Sequence, residues 1–372
     1  MKIAILLLLL VLSGEAYTQS SNDILNLLVA NKSITQQQAD SIRAEAAIKQ
    51  QETDAMRKSF FVTAARQLQL TGYTQFRYQE LDEKGKKDGF DIRRARLDLK
   101  GALTPYFAYR LQTDFAASPK IIDAYTEVRI AEYFMITAGQ FKIPLSLENL
   151  TSSNKLEMID RSQVVEALVA RGKDVIGNQN GRDIGVQISG TFLKIKGLPL
   201  AEYRIGVFNG SGINIADTAN KAKDIAGRLL LTPIKGLSLG AAYYYGWDKA
   251  IKPDVPGQSQ ERNRLGFELS YVTTRLSLRG EYINGRDGKT YRAGWYVQAG
   301  YYLIPQKFQV LAKYDKYDPN TSVNNNITLN RVVGANFNFN SWSRLQAFYT
   351  FRTEQGPQVN GNYLSVQYQI GF

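Results

Sequence analysis

The sequence has no cysteine and no histidine among its 372 residues. Their absence excludes disulfides, thiolate or imidazole ligands for a metal, and every catalytic design that depends on an imidazole base. Enzymes that use carboxylates, lysine or tyrosine stay open, but an enzyme is the weaker hypothesis. We therefore predict no catalytic residue, no metal site and no cofactor.

Long apolar runs are also scarce, since the longest covers residues 3–12. This is about half of the roughly 20 residues that a membrane-spanning helix needs. Lys2 precedes the run and small or polar residues follow it, a pattern typical of a secretory signal peptide. We predict a signal peptide at 1–20, cleaved near 16–20, and no lipid anchor because no cysteine follows. If the remaining chain enters a membrane, it does so as β-strands.

Acidic residues are outnumbered, because 46 Lys and Arg against 34 Asp and Glu give a formal charge of +12. Nucleic acid, anionic lipid and small anions all suit such a charge, and composition alone does not choose among them. The 22 tyrosines, 17 phenylalanines and 30 glycines favour a β-rich chain whose rings lie at an interface.

Residues 21–60 differ from the rest, being rich in Ala, Gln and Glu and free of Gly and Pro. Two helices are predicted here, one short and one long. The second begins at Thr35, whose hydroxyl can accept from the Gln38 amide while the Gln38 side chain reaches back. The apolar face is narrow, so a mobile periplasmic arm and a self-associating coiled coil both fit the segment.

From residue 68 to 372 apolar and polar residues alternate with a period of two. The predicted strands are 68–81, 90–103, 106–117, 121–130, 134–142, 183–194, 200–209, 223–232, 237–248, 261–272, 275–285, 291–303, 307–317, 328–339, 343–353 and 362–372. Connections after odd-numbered strands are long and polar, and those after even-numbered strands are short. The third strand, followed by a brief connection, is an exception.

A transmembrane barrel explains this alternation, because one end faces the periplasm and the other the outside. A soluble β-sandwich has no reason for it, and a propeller would show a blade-length repeat, which we do not find. The predicted fold is therefore all-β, a transmembrane antiparallel 16-stranded β-barrel with a short N-terminal helical arm.

The last strand, YLSVQYQIGF, places Leu364, Val366, Tyr368, Ile370 and Phe372 on one face. A chain that ends on an outward-pointing Phe resembles the C-terminal signal that the outer-membrane assembly machinery binds in bacterial porins. The alternative is that Phe372 simply ends a buried strand.

In a lipid-embedded barrel the apolar face of each strand points outward and the polar face inward. The stretch DIRRARLDLK at 91–100 then places Leu97 and Leu99 against lipid, with Arg93 on the lipid side by parity, at the rim. The inward cations outnumber the inward acids by roughly two to one, which favours anions in the lumen. Seven inward cations are candidate path residues: Arg94, Arg96, Lys100, Arg110, Lys142, Arg264 and Arg279.

The connection 143–182 is by far the longest and carries its own apolar residues, including Val164, Val165 and Leu168. A connection of this length with apolar residues is usually functional. We expect it to contain at least one helical turn, to fold into the lumen as a constriction loop, and to bring Arg161 to the anion path.

Several stretches together resemble the phosphate-selective porin O and P family. They are FDIRRARLDLKG at 90–101, DAYTEVRI at 123–130, AGQFKIPLSLE at 138–148, MIDRS at 158–162 and RDIGVQISG at 182–190, and the helical arm is similar to that of Bacteroidetes-type relatives. The resemblance implies a homotrimer of sixteen-stranded barrels and passage of phosphate or related anions along lysines and arginines. By matched position it implies roles for Arg94, Arg96, Lys142 and Arg161.

This sequence departs from a strongly phosphate-selective pattern, because the long connection has few lysines and several acids: Glu148, Glu157, Asp160 and Glu166. The leading hypothesis is a porin of the bacterial outer membrane that passes small anions, with phosphate or polyphosphate among them. The alternatives are a general nutrient porin and, less favoured, a structural or adhesive protein. Expected partners are outer-membrane lipid and lipopolysaccharide, small anions and the assembly machinery, and not nucleic acid.

Overall fold

The computed structural model describes residues 26, 28–31, 33, 35, 36, 38, 61–63, 66–82, 88–195, 198–215, 222–248, 260–356 and 361–372. The predicted signal peptide lies outside them. The chain divides into two compact units, residues 1–58 and 59–372. In the first unit the Gln38 amide donates to the Thr35 hydroxyl at 3.2 Å, and the Thr35 amide donates to Gln38 Oε1 at 2.9 Å. The predicted helix start at Thr35 is confirmed.

The described residues of the second unit form seventeen antiparallel strands in one sheet. They are β1 (Phe61–Thr63), β2 (Arg66–Leu81), β3 (Gly89–Thr104), β4 (Phe107–Asp114), β5 (Lys120–Ala131), β6 (Phe134–Lys142), β7 (Arg182–Ile195), β8 (Leu198–Phe208), β9 (Asp224–Ile234), β10 (Leu237–Asp248), β11 (Gln260–Val272), β12 (Leu276–Asp287), β13 (Thr290–Ile304), β14 (Phe308–Asp318), β15 (Thr328–Asn338), β16 (Ser343–Glu354) and β17 (Tyr363–Gly371). The strands from β2 to β17 follow the predicted order.

The sheet closes on itself, because the last strand pairs with the first long one. β17 runs antiparallel to β2, from the pair Tyr363 and Leu81 to the pair Gly371 and Tyr73. Each strand from β2 to β17 also pairs with its neighbour in sequence, while β1 forms a short hairpin on β2. The predicted 16-stranded antiparallel barrel is confirmed, with β1 as an addition. Among the described residues no helix is long and apolar enough to cross a membrane.

The barrel has an apolar outside and a polar inside, as a wall between lipid and water requires. On β11, Leu265, Phe267 and Leu269 are exposed on the outer face, whereas Arg264 and Glu268, at alternate positions, are buried on the inner face. Leu97 likewise lies exposed on the outer face of β3.

One strand end and one connection differ from the prediction. β4 ends three residues early, because Asp114 Oδ1 accepts from the amides of Ala95 and Ala116 and starts a turn. The stretch NGRDGKT, predicted as a long connection, is mostly strand, and only Gly288 and Lys289 separate β12 from β13. Gly288 has φ +58°, which suits the first central position of a two-residue hairpin turn.

The C-terminal Phe372 continues the closing seam beyond β17. Its amide donates to the Gly72 carbonyl at 3.0 Å, and the Gly72 amide donates back at 3.1 Å. The Phe372 ring covers Gly72, where a Cβ would lie 2.6 Å from ring atom Cζ. Phe372 points outward, with 59% of its surface exposed.

Candidate functional site

The connection between β6 and β7, residues 143–181, lies against the inner wall of the barrel, and we call it the inner loop. It contains helix α1 (Leu147–Leu150), a 3-10 turn (Ser153–Lys155) and helix α2 (Gln163–Leu168). Ser146 begins α1 by accepting from the Asn149 amide at 3.2 Å, a normal N-cap contact.

The apolar residues of α2 fill one side of the lumen. Val164, Val165 and Leu168 are fully buried in a cluster that includes Ile283 and Tyr296 of the wall. The helix packs on β12, β13 and β14. The barrel therefore holds an apolar core inside its polar wall.

Glu157 anchors the inner loop to the wall on this side. Its carboxylate accepts from Ser277 Oγ at 3.0 Å, Gln298 Nε2 at 2.7 Å and Gln309 Nε2 at 3.1 Å. Its backbone carbonyl accepts from Asn336 Nδ2 and Gln346 Nε2. Five wall side chains thus converge on one loop residue.

Glu148, in α1, forms a second anchor. Its carboxylate accepts from Lys313 Nζ and from the Ser162 amide, both at 2.7 Å. Burial on its own would raise the pKa of Glu148, but the Lys313 ammonium and the Ser162 amide outweigh it and lower that pKa below the ordinary value. Wall residue Glu281 accepts from the amides of Leu147 and Glu148, each at 2.8 Å.

Arg93 joins the inner loop as well, and the expectation that it faces lipid is wrong. The pairing of β2 with β3 skips one residue, so that Gln75 faces Arg94 while Phe76 faces Ile92. This β-bulge turns both Arg93 and Arg94 inward. Arg93 donates to Asp160 Oδ1 at 2.5 Å and to the Ile159 carbonyl.

Four of the predicted path residues have a carboxylate partner in the structure. Arg96 pairs with Asp114 at 2.8 Å, and Arg110 donates two hydrogen bonds to Asp98, both at 2.8 Å. Arg264 pairs with Asp287 at 2.7 Å and donates to the Leu168 carbonyl, and Arg279 lies 3.7 Å from Glu157. These charges are largely compensated, and three of the four also contact the inner loop, since Arg96 donates to Ser153 Oγ at 3.4 Å.

Three others contact neutral acceptors. Arg94 donates to Gln75 Oε1 at 2.7 Å, and Lys142 Nζ donates to the carbonyls of Leu150 and Thr151 at 3.1 and 3.0 Å. Arg161 donates to the Glu148 and Thr151 carbonyls and to Ser153 Oγ. Within the described part of the chain, none of the three lies within ion-pair distance of a carboxylate. Lys100, the remaining candidate, is exposed near the end of β3.

Arg161 is the most confined of these cations. It is 5% exposed, and its Nη1 has no hydrogen-bond partner among the described residues. Burial and the nearby Arg171 lower the pKa of Arg161 well below its ordinary value. A cation held in this way gains from any anion that comes close.

A cavity of about 200 Å³ lies between the inner loop and the wall formed by β4 to β8. Four cations line it, Arg110, Lys142, Arg182 and Arg204, against the two acids Asp123 and Glu127. Its remaining lining is Tyr125, Thr137, Phe141, Leu150, Ser152 and Gln187. In this cavity the cations exceed the acids.

Of the eight predicted path residues, only Arg110 and Lys142 line this cavity. Arg96 and Arg161 meet at Ser153 Oγ, and Arg94 connects to the same turn through Gln75. Arg264 and Arg279 lie under the far side of the inner loop. Arg182, which sequence reasoning missed, forms two hydrogen bonds to Asp123. The sequence contains no local pattern that predicts this pair, because its members are 59 residues apart.

No group of three or more Asp and Glu that could hold a metal ion occurs among the described residues. The arrangement is a water-accessible, basic cavity beside a fixed loop inside a closed barrel. These features define an outer-membrane porin.

The sequence of residues 68–250 matches the family model described as phosphate-selective porin O and P, which confirms the resemblance inferred from the sequence. No curated protein matches the chain.

Solved structures of porins share the fold. An anion-selective porin from Comamonas acidovorans is 13% identical, with a TM-score of 0.63, over 82% of this chain and 100% of that one. OmpF of Salmonella typhi, in complex with daunomycin, is 13% identical with a TM-score of 0.63 over 84% and 99%. OprB of Pseudomonas putida is 10% identical with a TM-score of 0.61 over 86% and 96%. The protein is a porin of the bacterial outer membrane.

Proposed function

We propose that this porin lets small anions, phosphate among them, diffuse passively between the inner loop and the β4–β8 wall. The eight predicted cations would form the path, but their roles would differ. Arg94, Lys100, Lys142 and Arg161 would attract the anion, whereas Arg96, Arg110, Arg264 and Arg279 would mainly hold the wall and the loop in place. We propose no catalytic role for any of them.

Lys142 carries this proposal. It lines the cavity, and within the described ranges its ammonium donates to two neutral carbonyl oxygens, which do not cancel its charge. An anion that passes close to Lys142 exchanges part of its hydration for this contact. The contact is strong enough to attract the ion and weak enough to release it.

The test is the reversal potential of the full-length porin in a planar bilayer under a KCl gradient. We expect chloride preference, and Lys142→Gln should lower the chloride-to-potassium permeability ratio about sevenfold, since a unit charge about 7 Å away in water shifts the energies of the two ions by about 0.6 kcal/mol in opposite directions. Lys235→Gln, in the exposed turn between β9 and β10, removes the same charge away from the cavity and serves as control. Cation preference in the wild-type porin would refute the proposal.

A general nutrient porin is the second candidate, and the carboxylates beside the cations favour it. Asp123 and Glu127 line the cavity, and Arg110 is compensated by Asp98. Phosphate distinguishes the two. If low millimolar phosphate blocks the chloride current, the path is phosphate-binding, and an unaffected current would favour the general porin.

We also propose that three copies assemble and that Phe372 is the assembly signal. OmpT of Vibrio cholerae, 10% identical with a TM-score of 0.58, was solved in a trimer form. Cross-linking in the membrane should yield a product of three subunits.

Phe372→Ser tests the assembly signal. It should lower the amount of folded porin in the outer membrane and leave refolding in detergent intact.

A further inference from the structure

Two cations face outward on neighbouring strands of the barrel. On β14 the buried residues Lys313 and Asp315 bind the inner loop, while Tyr314 is exposed and Lys316 shares its side of the strand. On β15 Asn336 binds the inner loop, while Arg331 and Val333 are exposed on the opposite side. Lys316 and Arg331 therefore emerge on the lipid-facing surface.

The strand register brings the two side chains together. Tyr314 faces Arg331, and Lys316 faces Leu329, so Lys316 and Arg331 are diagonal neighbours on one face. Diagonal positions are about 7–8 Å apart, within reach of a single small anion for side chains of this length.

Neither cation has an acidic partner in the described part of the chain. Asp318, further along the same face, accepts instead from the Asn320 amide at 3.0 Å. Arg286 provides a contrast, since it also faces outward but pairs with Glu261 and lies over the Tyr291 ring at 5.9 Å. An uncompensated charge on the lipid face is unfavourable unless the lipid supplies the counter-charge.

The position of the two cations along the barrel points to the lipid headgroups. Lys316 is two residues before the end of β14, and Arg331 is three after the start of β15, so both lie within about 10 Å of the long-connection end of the wall. Long basic side chains at such a depth extend toward the interface. Tyr314, Val333 and Phe351 are exposed around them and offer an apolar surface for acyl chains.

We propose that Lys316 and Arg331 together bind a phosphate group of lipopolysaccharide in the outer leaflet. The long connections mark the outward end of the barrel, which is where this phosphorylated glycolipid lies. Arg offers a fork of donors for phosphate oxygens, and Lys adds a point charge. The site is independent of the permeation path, because these side chains are on the other face of the wall.

The experiment uses the full-length porin, purified in mild detergent, stripped of lipid and titrated with purified lipopolysaccharide. The double variant Lys316→Gln/Arg331→Gln should bind about 25-fold more weakly, from about fivefold for each cation. The matched control is Glu261→Gln/Arg286→Gln, which alters an outward pair that is already compensated, and its affinity should equal that of the wild type. Heat-modifiable migration of each variant verifies that the barrel is folded.

Two further arms identify the ligand. Lipopolysaccharide stripped of its phosphates should bind the wild type as weakly as the intact lipid binds the double variant. Phosphatidylglycerol vesicles and inorganic phosphate should compete poorly. The proposal is overturned by an unchanged affinity of the double variant, by equal binding of the dephosphorylated lipid, or by equal competition from phosphatidylglycerol. A changed oligomeric state with unchanged lipid binding would assign the two side chains to a subunit contact and would overturn it as well.

Discussion

Arg93 and Asp160 join the barrel wall to the inner loop across a β-bulge, with Nη2 2.5 Å from Oδ1. Asp160 is also 3.8 Å from Arg77, so the loop carboxylate lies between two wall cations. The bulge is what makes this contact available, because regular pairing would turn Arg93 to the lipid.

We expect Arg93→Gln to loosen the inner loop. The pair is partly exposed, with 14% and 35% of the side chains accessible, so its loss should cost about 1–2 kcal/mol of unfolding free energy. Denaturant unfolding in detergent measures the loss, and single-channel noise should rise. In a double-mutant cycle with Asp160→Asn, the double variant should lose less unfolding free energy than the sum of the losses of the two single variants. Losses that add fully would show that the two residues act separately.

Leu168→Ala should also release the loop, by a different route. The side chain is fully buried among wall residues, and truncation of a buried leucine costs about 2–5 kcal/mol. Leu265→Ala, on the exposed outer face, makes the same chemical change without a cavity. A shift of the unfolding midpoint that is equal in both variants would contradict the internal core.

Glu157→Gln should increase anion preference, opposite to Lys142→Gln. The substitution leaves Arg279 without the carboxylate 3.7 Å away and so adds one net positive charge to the lumen. An increase of the chloride-to-potassium permeability ratio of about sevenfold is expected, because one unit charge at about 7 Å in water shifts the energies of the two ions by about 0.6 kcal/mol in opposite directions. Reversal potentials provide the measurement, with Glu132→Gln in an exposed turn as control, and a fall in the ratio would count against this assignment.

Acid should weaken the anchor at Glu148. Its pKa in the folded protein lies below the ordinary value of 4.5, so its contribution to stability is present above about pH 4.5 and is lost as the pH falls through the lower, folded pKa. Unfolding free energies measured from pH 6 to pH 3 should therefore decline more steeply for the wild type than for Glu148→Gln. Parallel curves would mean that Glu148 retains an ordinary pKa.

Much of the barrel was predictable from sequence, because one face of each strand contacts lipid and the other contacts water. Apolar and polar residues therefore alternate along each strand. β6 and β10 occur at the predicted bounds, Phe134–Lys142 and Leu237–Asp248. The bulge at Arg93 is also visible in the sequence. The outward residues Ile92 and Ala95 are three positions apart, whereas a regular strand would place them two apart. The two-residue turn at Gly288 was missed because a polar stretch at a rim can be strand or loop.

The site was less predictable, for a physical reason. Alternation gives the direction of a side chain but not the partner that meets it inside the lumen. Arg264 and Arg110 face inward as expected, yet Asp287 and Asp98 compensate them. Whether a cation meets a carboxylate depends on the strand register and on the path of the inner loop. Neither can be read from the residues adjacent in sequence.

The packing of α2 inside the barrel has a consequence for the way the wall keeps its shape. Val164, Val165 and Leu168 share one apolar cluster with wall residues that extend from Phe141 on β6 to Tyr296 on β13. Distant parts of the wall are therefore connected through the lumen as well as around the sheet. Such a cross-connection should make the barrel resist flattening under lateral pressure from the membrane.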